Sequence, residues 1–479
     1  MSFAATNYRE FRQRLKRLKP LKPMLPIAGI MAAAIAINFA WDLSSAGRWS
    51  LIIFCSTVIL WTLTRLNTSY VALVAALTLV LTGAIPQEQL FQALGDEIIW
   101  LMIGAFILGD AIQKTGLSAR MTQFIVGRVK TVGGLFWTIA ALIIPLSFLI
   151  PSTSGRAAVT LPIYHSVTAA LPDPKIRRGL AILIPTIILV STIVSLVGAG
   201  SHLIANELLM QMAQQHISFG QWALYGLPFG IAASFLSCGA ILYFFLNRQQ
   251  RQQPLQIPID PAVKSSFSRS EWVTLFIALG MLSLWLTEGV HGLKIATVSI
   301  LGGVLLALPK LGVMSWKEAL NSVSWNLIVF VCAALVLGRS LVKSGASQWV
   351  IDHTFHISGI SSQGSQILVL VILTAIALTS HLYMTSHAAR AVALVPAFLS
   401  LAATLNLNPV AVMFIGTLGM DYCLTMPVSS KALLIYQDGE EPRFHAKDLL
   451  RLSTIMIPIH LGLVIVFYLT YWHWIGLKL

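Results

Sequence analysis

The residues of this chain best suited to chemistry occur as two versions of one motif. Ser152-Thr153-Ser154-Gly155-Arg156 leads to Leu161-Pro162, and Ser386-His387-Ala388-Ala389-Arg390 leads to Val395-Pro396. In each, a serine stands four residues before an arginine and ten before a proline. A guanidinium presents a fork of donors to a carboxylate or sulfate. The hydroxyls of Ser152, Thr153, Ser154, Thr385 and Ser386 can donate to the same anion, helped by the positive ends of the helices that follow. The same residues have structural uses: an arginine can tie a hairpin to backbone carbonyls, and a serine can cap a helix. His387 can donate to an anion or carry a proton. Both copies sit in apolar surroundings. A hydroxyl cluster with an arginine, placed twice at membrane depth, points to a pseudo-symmetric anion site made by two halves of an internal repeat.

The elements that hold these motifs must cross a membrane. Of 479 residues, 56% are hydrophobic and 10% charged, where soluble chains carry about 25% charged residues. The mean hydropathy is +0.79. Apolar runs of spanning length recur, and they predict an all-α polytopic membrane protein with about eleven transmembrane helices. Two apolar pairs, within 133–171 and 366–404, break at the Ser…Arg motifs and read as re-entrant hairpins whose tips end inside the protein. The net charge of +14 is spread over clusters flanking the spans, which is the positive-inside pattern and not a nucleic-acid surface. It predicts a plasma (inner) membrane protein with a basic cytoplasmic N-terminus, 1–23, contacting lipid. Cys55, Cys238, Cys332 and Cys423 lack CxxC spacing and read as free thiols in apolar spans.

A second correspondence supports the repeat. Gly109-Asp110 followed by Lys114-Thr115-Gly116 matches Gly338-Arg339 followed by Lys343-Ser344-Gly345. The connector after Lys114 is basic (Arg120, Arg128, Lys130), whereas its counterpart after Lys343 carries Asp352, His353 and His356. Opposite charge character places the two connectors on opposite faces, so the repeat is inverted. The first span and first repeat occupy 24–246 (hairpin 133–171), a proline-rich cytoplasmic linker 247–271, and the second repeat 272–479 (hairpin 366–404). Asp110 and Lys114 have the spacing of a local ion pair. Gly302-Gly303 has the small side chains of close helix packing.

This layout resembles the divalent-anion/sodium symporter family, over essentially the whole chain after the first span. Its members carry Ser-Asn-Thr at each hairpin tip, about ten residues before a proline, and interrupted fifth and tenth spans. The tip positions here read Ser152-Thr153-Ser154 and Ser386-His387-Ala388. The interruptions correspond to Gly198-Ala199-Gly200-Ser201-His202 and Pro427-Val428-Ser429-Ser430-Lys431. The resemblance implies a homodimer in which a unit of hairpins and interrupted spans slides against a scaffold. It also implies substrate contacts from the tips, and sodium held by tip and interruption oxygens. The departures are specific: both tip asparagines are absent, and His202 and Lys431 enter the interruptions. An ammonium beside a sodium site repels the ion, so reduced sodium dependence is expected, with His387 or Asp421 able to carry a proton instead. Asp421 and Lys431, ten residues apart, read as a structural ion pair or a proton-coupled gate.

The resulting expectation is a secondary transporter of small divalent anions, sulfate or dicarboxylate. Sodium or a proton is the coupling ion, with anion exchange as the other mode, and no further cofactor is implied. The substrate-site candidates are Ser152, Thr153, Ser154, Arg156, Thr385, Ser386, His387 and Arg390. The ion-site candidates are Gly198, Gly200, Ser201, His202, Asp421, Ser429, Ser430 and Lys431. A membrane-embedded enzyme using His387, His202 and Asp421 is a competing class, as is a non-transporting anion receptor. No Walker A loop or HExxH motif supports ATP-driven transport or metal catalysis.

Overall fold

Lipid leaves a spanning backbone with no water to bond to, so the apolar segments satisfy themselves as helices. The computed structural model describes residues 24–39, 42–117, 120, 129–169, 171–255, 266–350, 366–437 and 443–479. Among these residues the extended pairing is an isolated bridge between Thr131 and Pro254. The basic segment 1–23, Arg128 and the Asp352–His356 connector lie outside the described residues.

The first half contains α1 (Met24–Asn38), α2 (Ser45–Leu63), α3 (Thr68–Leu81), the short α4 (Gln87–Gln92) and α5 (Glu97–Lys114). A hairpin of α6 (Val132–Leu149) and α7 (Thr153–Ala169) follows, then a broken span of α8 (Pro174–Val190) and α9 (Gly200–Ala213), and α10 (Phe219–Phe245). After the short α11 (Arg248–Gln252), the second half repeats the order: α12 (Arg269–Leu286), α13 (Ile295–Leu306), the short α14 (Trp316–Ser322) and α15 (Trp325–Lys343). Its hairpin is α16 (Gln366–Thr379) and α17 (His387–Thr404), its broken span α18 (Pro409–Leu418) and α19 (Lys431–Gln437), and its last helix α20 (Ala446–Phe467). Nine helices among the described residues are long and apolar enough to cross a membrane, two of them being hairpin arms. With the shorter apolar helices and the two broken spans, the chain makes the eleven passes expected from hydropathy. Polar residues set the helix starts, as in the capping boxes of Ser218 with Gln221 and Ser315 with Glu318.

The hairpins enter from opposite faces. The base of the first is bonded to the inter-repeat linker: Val132 N–H donates to Gln253 O, and Leu255 N–H to Lys130 O. The base of the second meets the C-terminus, with Gln366 Nε2 donating to the Leu479 carbonyl at 3.2 Å. The start of α20 lies near the first hairpin's base, where Arg443 is 3.5 Å from His165. The C-terminus is therefore on the face opposite the linker, and the repeat is inverted.

Packing exchanges partners between the halves. Helix α3 packs on α15 and α13 on α5, while the outgoing hairpin arms interlock across the repeat, α17 with α9 and α7 with α19. Gly104 and Gly303 permit the α5–α13 approach; a Cβ at Gly104 would collide with the Ser299 backbone. Lys114 does not form the local pair expected with Asp110; it bonds Glu318 of α14 at 2.6 Å. The packing of α14 against the end of α5 offers a carboxylate at a better approach than the i,i+4 neighbour. Arg339 bonds Asp96 at the other end of α5 and lies 3.8 Å from Glu207 of α9.

Candidate functional site

Both hairpin tips end in a serine cap. Ser152 Oγ accepts from Gly155 N–H at 3.2 Å, and Ser386 Oγ accepts from Ala389 N–H at 3.3 Å. Each hydroxyl keeps its own hydrogen for another acceptor. Thr153, Ser154, Ser386 and His387 are half-buried and Thr385 is exposed, so the tips are open to a ligand while their arms are packed. The interruptions face them. A Cβ at Gly198 would overlap the Thr192 carbonyl oxygen, which accounts for a glycine there. Gly200 opens α9, and Ser430 Oγ accepts from Ala432 N–H at 3.2 Å to start α19. Ser429 is buried in the turn before it.

The two arginines fasten hairpins to interruptions. Arg156, fully buried, donates from Nη2 to the Gly198 carbonyl at 2.8 Å and from Nη1 to Ser147 Oγ and, at 3.4 Å, to Ser191 Oγ. Its Nε is a buried donor without a partner. Arg390, also fully buried, donates to the carbonyls of Met420 and, at 3.5 Å, Thr385, and to Cys423 Sγ at 2.9 Å. Each guanidinium thus spends most of its donors on protein acceptors. The carbonyl oxygens of Gly198 and Met420 each accept from an arginine.

Between the halves lies a carboxylate with three partners. Asp421, 1% exposed, accepts from Ser201 Oγ at 3.0 Å and from His387 Nδ1 at 2.6 Å. His202 Nε2 lies 2.9 Å from its other oxygen, a close contact whose angle falls short of a well-aligned hydrogen bond. Ser201 and His202 belong to the first repeat, and Asp421 and His387 to the second. Lys431 does not pair with Asp421. The interruption is not continuous helix, so ten residues of separation do not bring the two side chains to one face; Lys431 stands exposed at the first position of α19 without an ion pair among the described residues.

Sequence reasoning overlooked the partners. Ser147 and Ser191 carry no recognisable spacing, the carbonyls of Gly198 and Met420 are invisible in any sequence, and Cys423 was expected to pack without a polar role. A second polar group, Asp96, Arg339 and Glu207, lines a cavity of about 540 Å³ at the outer ends of α5 and α9, on the face away from the linker. Its lining reaches Leu196 and Leu203 beside the first interruption, but its excess of carboxylates ill suits an anion, so the tips are the better candidate. No cluster of metal-ligating side chains occurs among the described residues.

The likenesses to known proteins agree with this geometry. The chain is 26% identical over 391 residues to a membrane protein of Cupriavidus necator, with 78% of this chain and 74% of that one covered. It is 23% identical to a citrate/succinate antiporter of Escherichia coli (77% of each chain), and 28% identical to a chloroplastic dicarboxylate transporter 1 of Spinacia oleracea (76% of this chain, 66% of that one). The crystal structure of the Alcanivorax borkumensis YdaH transporter, described as having an unusual topology, shares the fold. Its TM-score is 0.55 at 13% identity, over 78% of this chain and 84% of that one. A family model described as the sodium:sulfate symporter transmembrane region matches residues 20–478. The chain is a multi-pass membrane protein of that transporter family, not an enzyme.

Proposed function

We propose that this protein is a secondary transporter of small divalent anions, with dicarboxylates as the preferred substrates and little need for sodium. The carrying observation is the pair of buried arginines that clasp each hairpin to an interruption loop. Arg156 and Arg390 are fixed cations in the hairpin arms, Lys431 opens α19, which packs on α7, and Asp421 is one fixed anion. The surplus of positive charge favours a small dianion such as a dicarboxylate or sulfate without a bound metal ion. The tip hydroxyls and the N-terminal ends of α7 and α17 supply donors for the carboxylates. The Escherichia coli citrate/succinate antiporter and the Spinacia dicarboxylate transporter favour dicarboxylates over sulfate.

The interlocked hairpins and broken spans form a natural moving unit, with α2–α5 and α12–α15 as the scaffold. Alternating access of the elevator type then follows, in a homodimer of the inner membrane with the linker face cytoplasmic. The contact of Arg339 with Asp96 and Glu207 lies on the boundary between the two bodies and must rearrange as they slide. The test is uptake of labelled succinate and sulfate by proteoliposomes in sodium-free choline medium, with and without internal dicarboxylate. Uptake that persists without sodium is the expected result. Uptake abolished without sodium and restored by it would overturn the argument that fixed cations replace sodium, and flux of neither anion would overturn transport itself.

A further inference from the structure

The contacts of His202 fix a proton. A neutral imidazole carries one N–H. Nδ1 of His202 faces the Ser195 carbonyl at 3.2 Å, and a carbonyl can only accept, so that nitrogen holds a hydrogen. Nε2 lies 2.9 Å from a carboxylate oxygen of Asp421. Asp421 thus gathers two imidazole rings, one from each repeat, around a single carboxylate. The His202 ring is 5.0 Å from that of Trp222.

Asp421 connects the buried His202 ring to the hairpin tip. Its other oxygen accepts from His387 Nδ1, which leaves Nε2 as the basic atom of that ring, 3.7 Å from Cys423 Sγ. His202 is fully buried, whereas the His387 side chain is 20% exposed. The charged and titratable groups around the chain are Arg390 and His381 from the second hairpin, Cys423 from the second interruption, and Arg156 from the first hairpin. Helix α9 contributes His202 itself.

We propose that His202, Asp421 and His387 form a proton-binding site, and that a proton is taken up through His387 Nε2 when the anion binds. The inference rests on the anion site proposed above. The proton comes from water in the cleft between the tips and adds to the Nε2 lone pair; no other bond is made or broken. A dianion at the tip favours the charged ring, and by reciprocity the charged ring favours the dianion. Binding then tightens as pH falls, by up to about tenfold per pH unit while the site titrates. Because the cluster spans hairpin 2, its interruption and α9 of the other repeat, protonation is sensed where the two halves meet.

Calorimetry of succinate binding to the purified protein, in buffers of different ionisation enthalpy between pH 5.5 and 8, counts the protons exchanged. The wild type should take up close to one proton per anion within part of that range. His387→Gln, which keeps a donor for Asp421 but has no titrating ring, should take up none, and Asp421→Asn should behave alike. Binding without proton uptake in the wild type, or unchanged uptake in His387→Gln, would overturn the proton site while leaving the anion site standing. No binding of succinate or sulfate by the wild type would overturn both. Should the variants fail to bind, nitrogen-15 spectra of the histidine-labelled wild type decide. A histidine whose titration moves when succinate is added supports the proposal, and its absence refutes it.

Discussion

Arg390→Gln separates the two jobs assigned to the arginines. The guanidinium holds the Met420 and Thr385 carbonyls and the Cys423 sulfur, and of these Met420 and Cys423 are fully buried with no water to fall back on. Breaking a buried charged network of this kind costs on the order of 3–5 kcal/mol. Total stabilities run about 5–15 kcal/mol, so the variant should still fold and insert, with a lower melting temperature. Loss of the charge acts separately on the anion. At an effective dielectric near 20 and a separation of about 10 Å, one unit charge is worth about 1.7 kcal/mol per substrate charge. A dicarboxylate then loses about 3 kcal/mol, roughly a hundredfold in affinity. Arg390→Lys keeps the charge but cannot reproduce the fork, so it should share the lower melting temperature and retain most of the affinity. The assay is the KM for labelled succinate in proteoliposomes, alongside thermal unfolding of the purified variants. If Arg390→Gln inserts normally and its KM is within twofold of wild type, the arginine is a clasp only, and the fixed-cation account of sodium independence fails.

Two further predictions concern the frame. The contact of Lys114 with Glu318, with the Ser315 cap, holds the Glu318 carboxyl down at about 2, well below the usual 4.5. A depressed carboxyl stabilises the folded state above its unfolded value and loses that effect as pH falls toward the folded one. The difference in melting temperature between wild type and Glu318→Gln should therefore be present near pH 7 and close between about pH 4.5 and 2; a gap that persists at the acid end would refute the pair. Single cysteines at His216, between α9 and α10, and at Lys310, between α13 and α14, should label from opposite faces of the membrane in a cysteine-free background, and labelling from one face would refute the inverted arrangement.

How much of this was legible in the sequence depended on whether the information was local. Hairpins, broken spans and inversion were readable because each leaves a local trace: an apolar run too short to cross, a Ser…Arg…Pro spacing that recurs, or a connector whose charge changes between copies. Ser152 and Ser386 were marked by their place before an arginine, and the structure finds them capping the helices that follow. What the arginines hold was not legible, because carbonyl oxygens such as Gly198 O have no letter of their own. Partners 220 residues apart, such as Ser201 and Asp421, leave no local signal either. Asp110 with Lys114 and Asp421 with Lys431 failed for a shared reason. Spacing predicts contact only along an unbroken helix with no better partner nearby, whereas Glu318 displaced Asp110 and the second interruption separated Asp421 from Lys431. The clue that did survive was energetic. A charge in an apolar run is costly and must be matched by something, and Asp421, the one acidic residue between Asp352 and Asp438, was matched by two histidines that the sequence had already set apart as unusual. Ionisable residues in a membrane sequence therefore identify the site before their pairing can be known, and the pairing is decided by where the inverted halves cross.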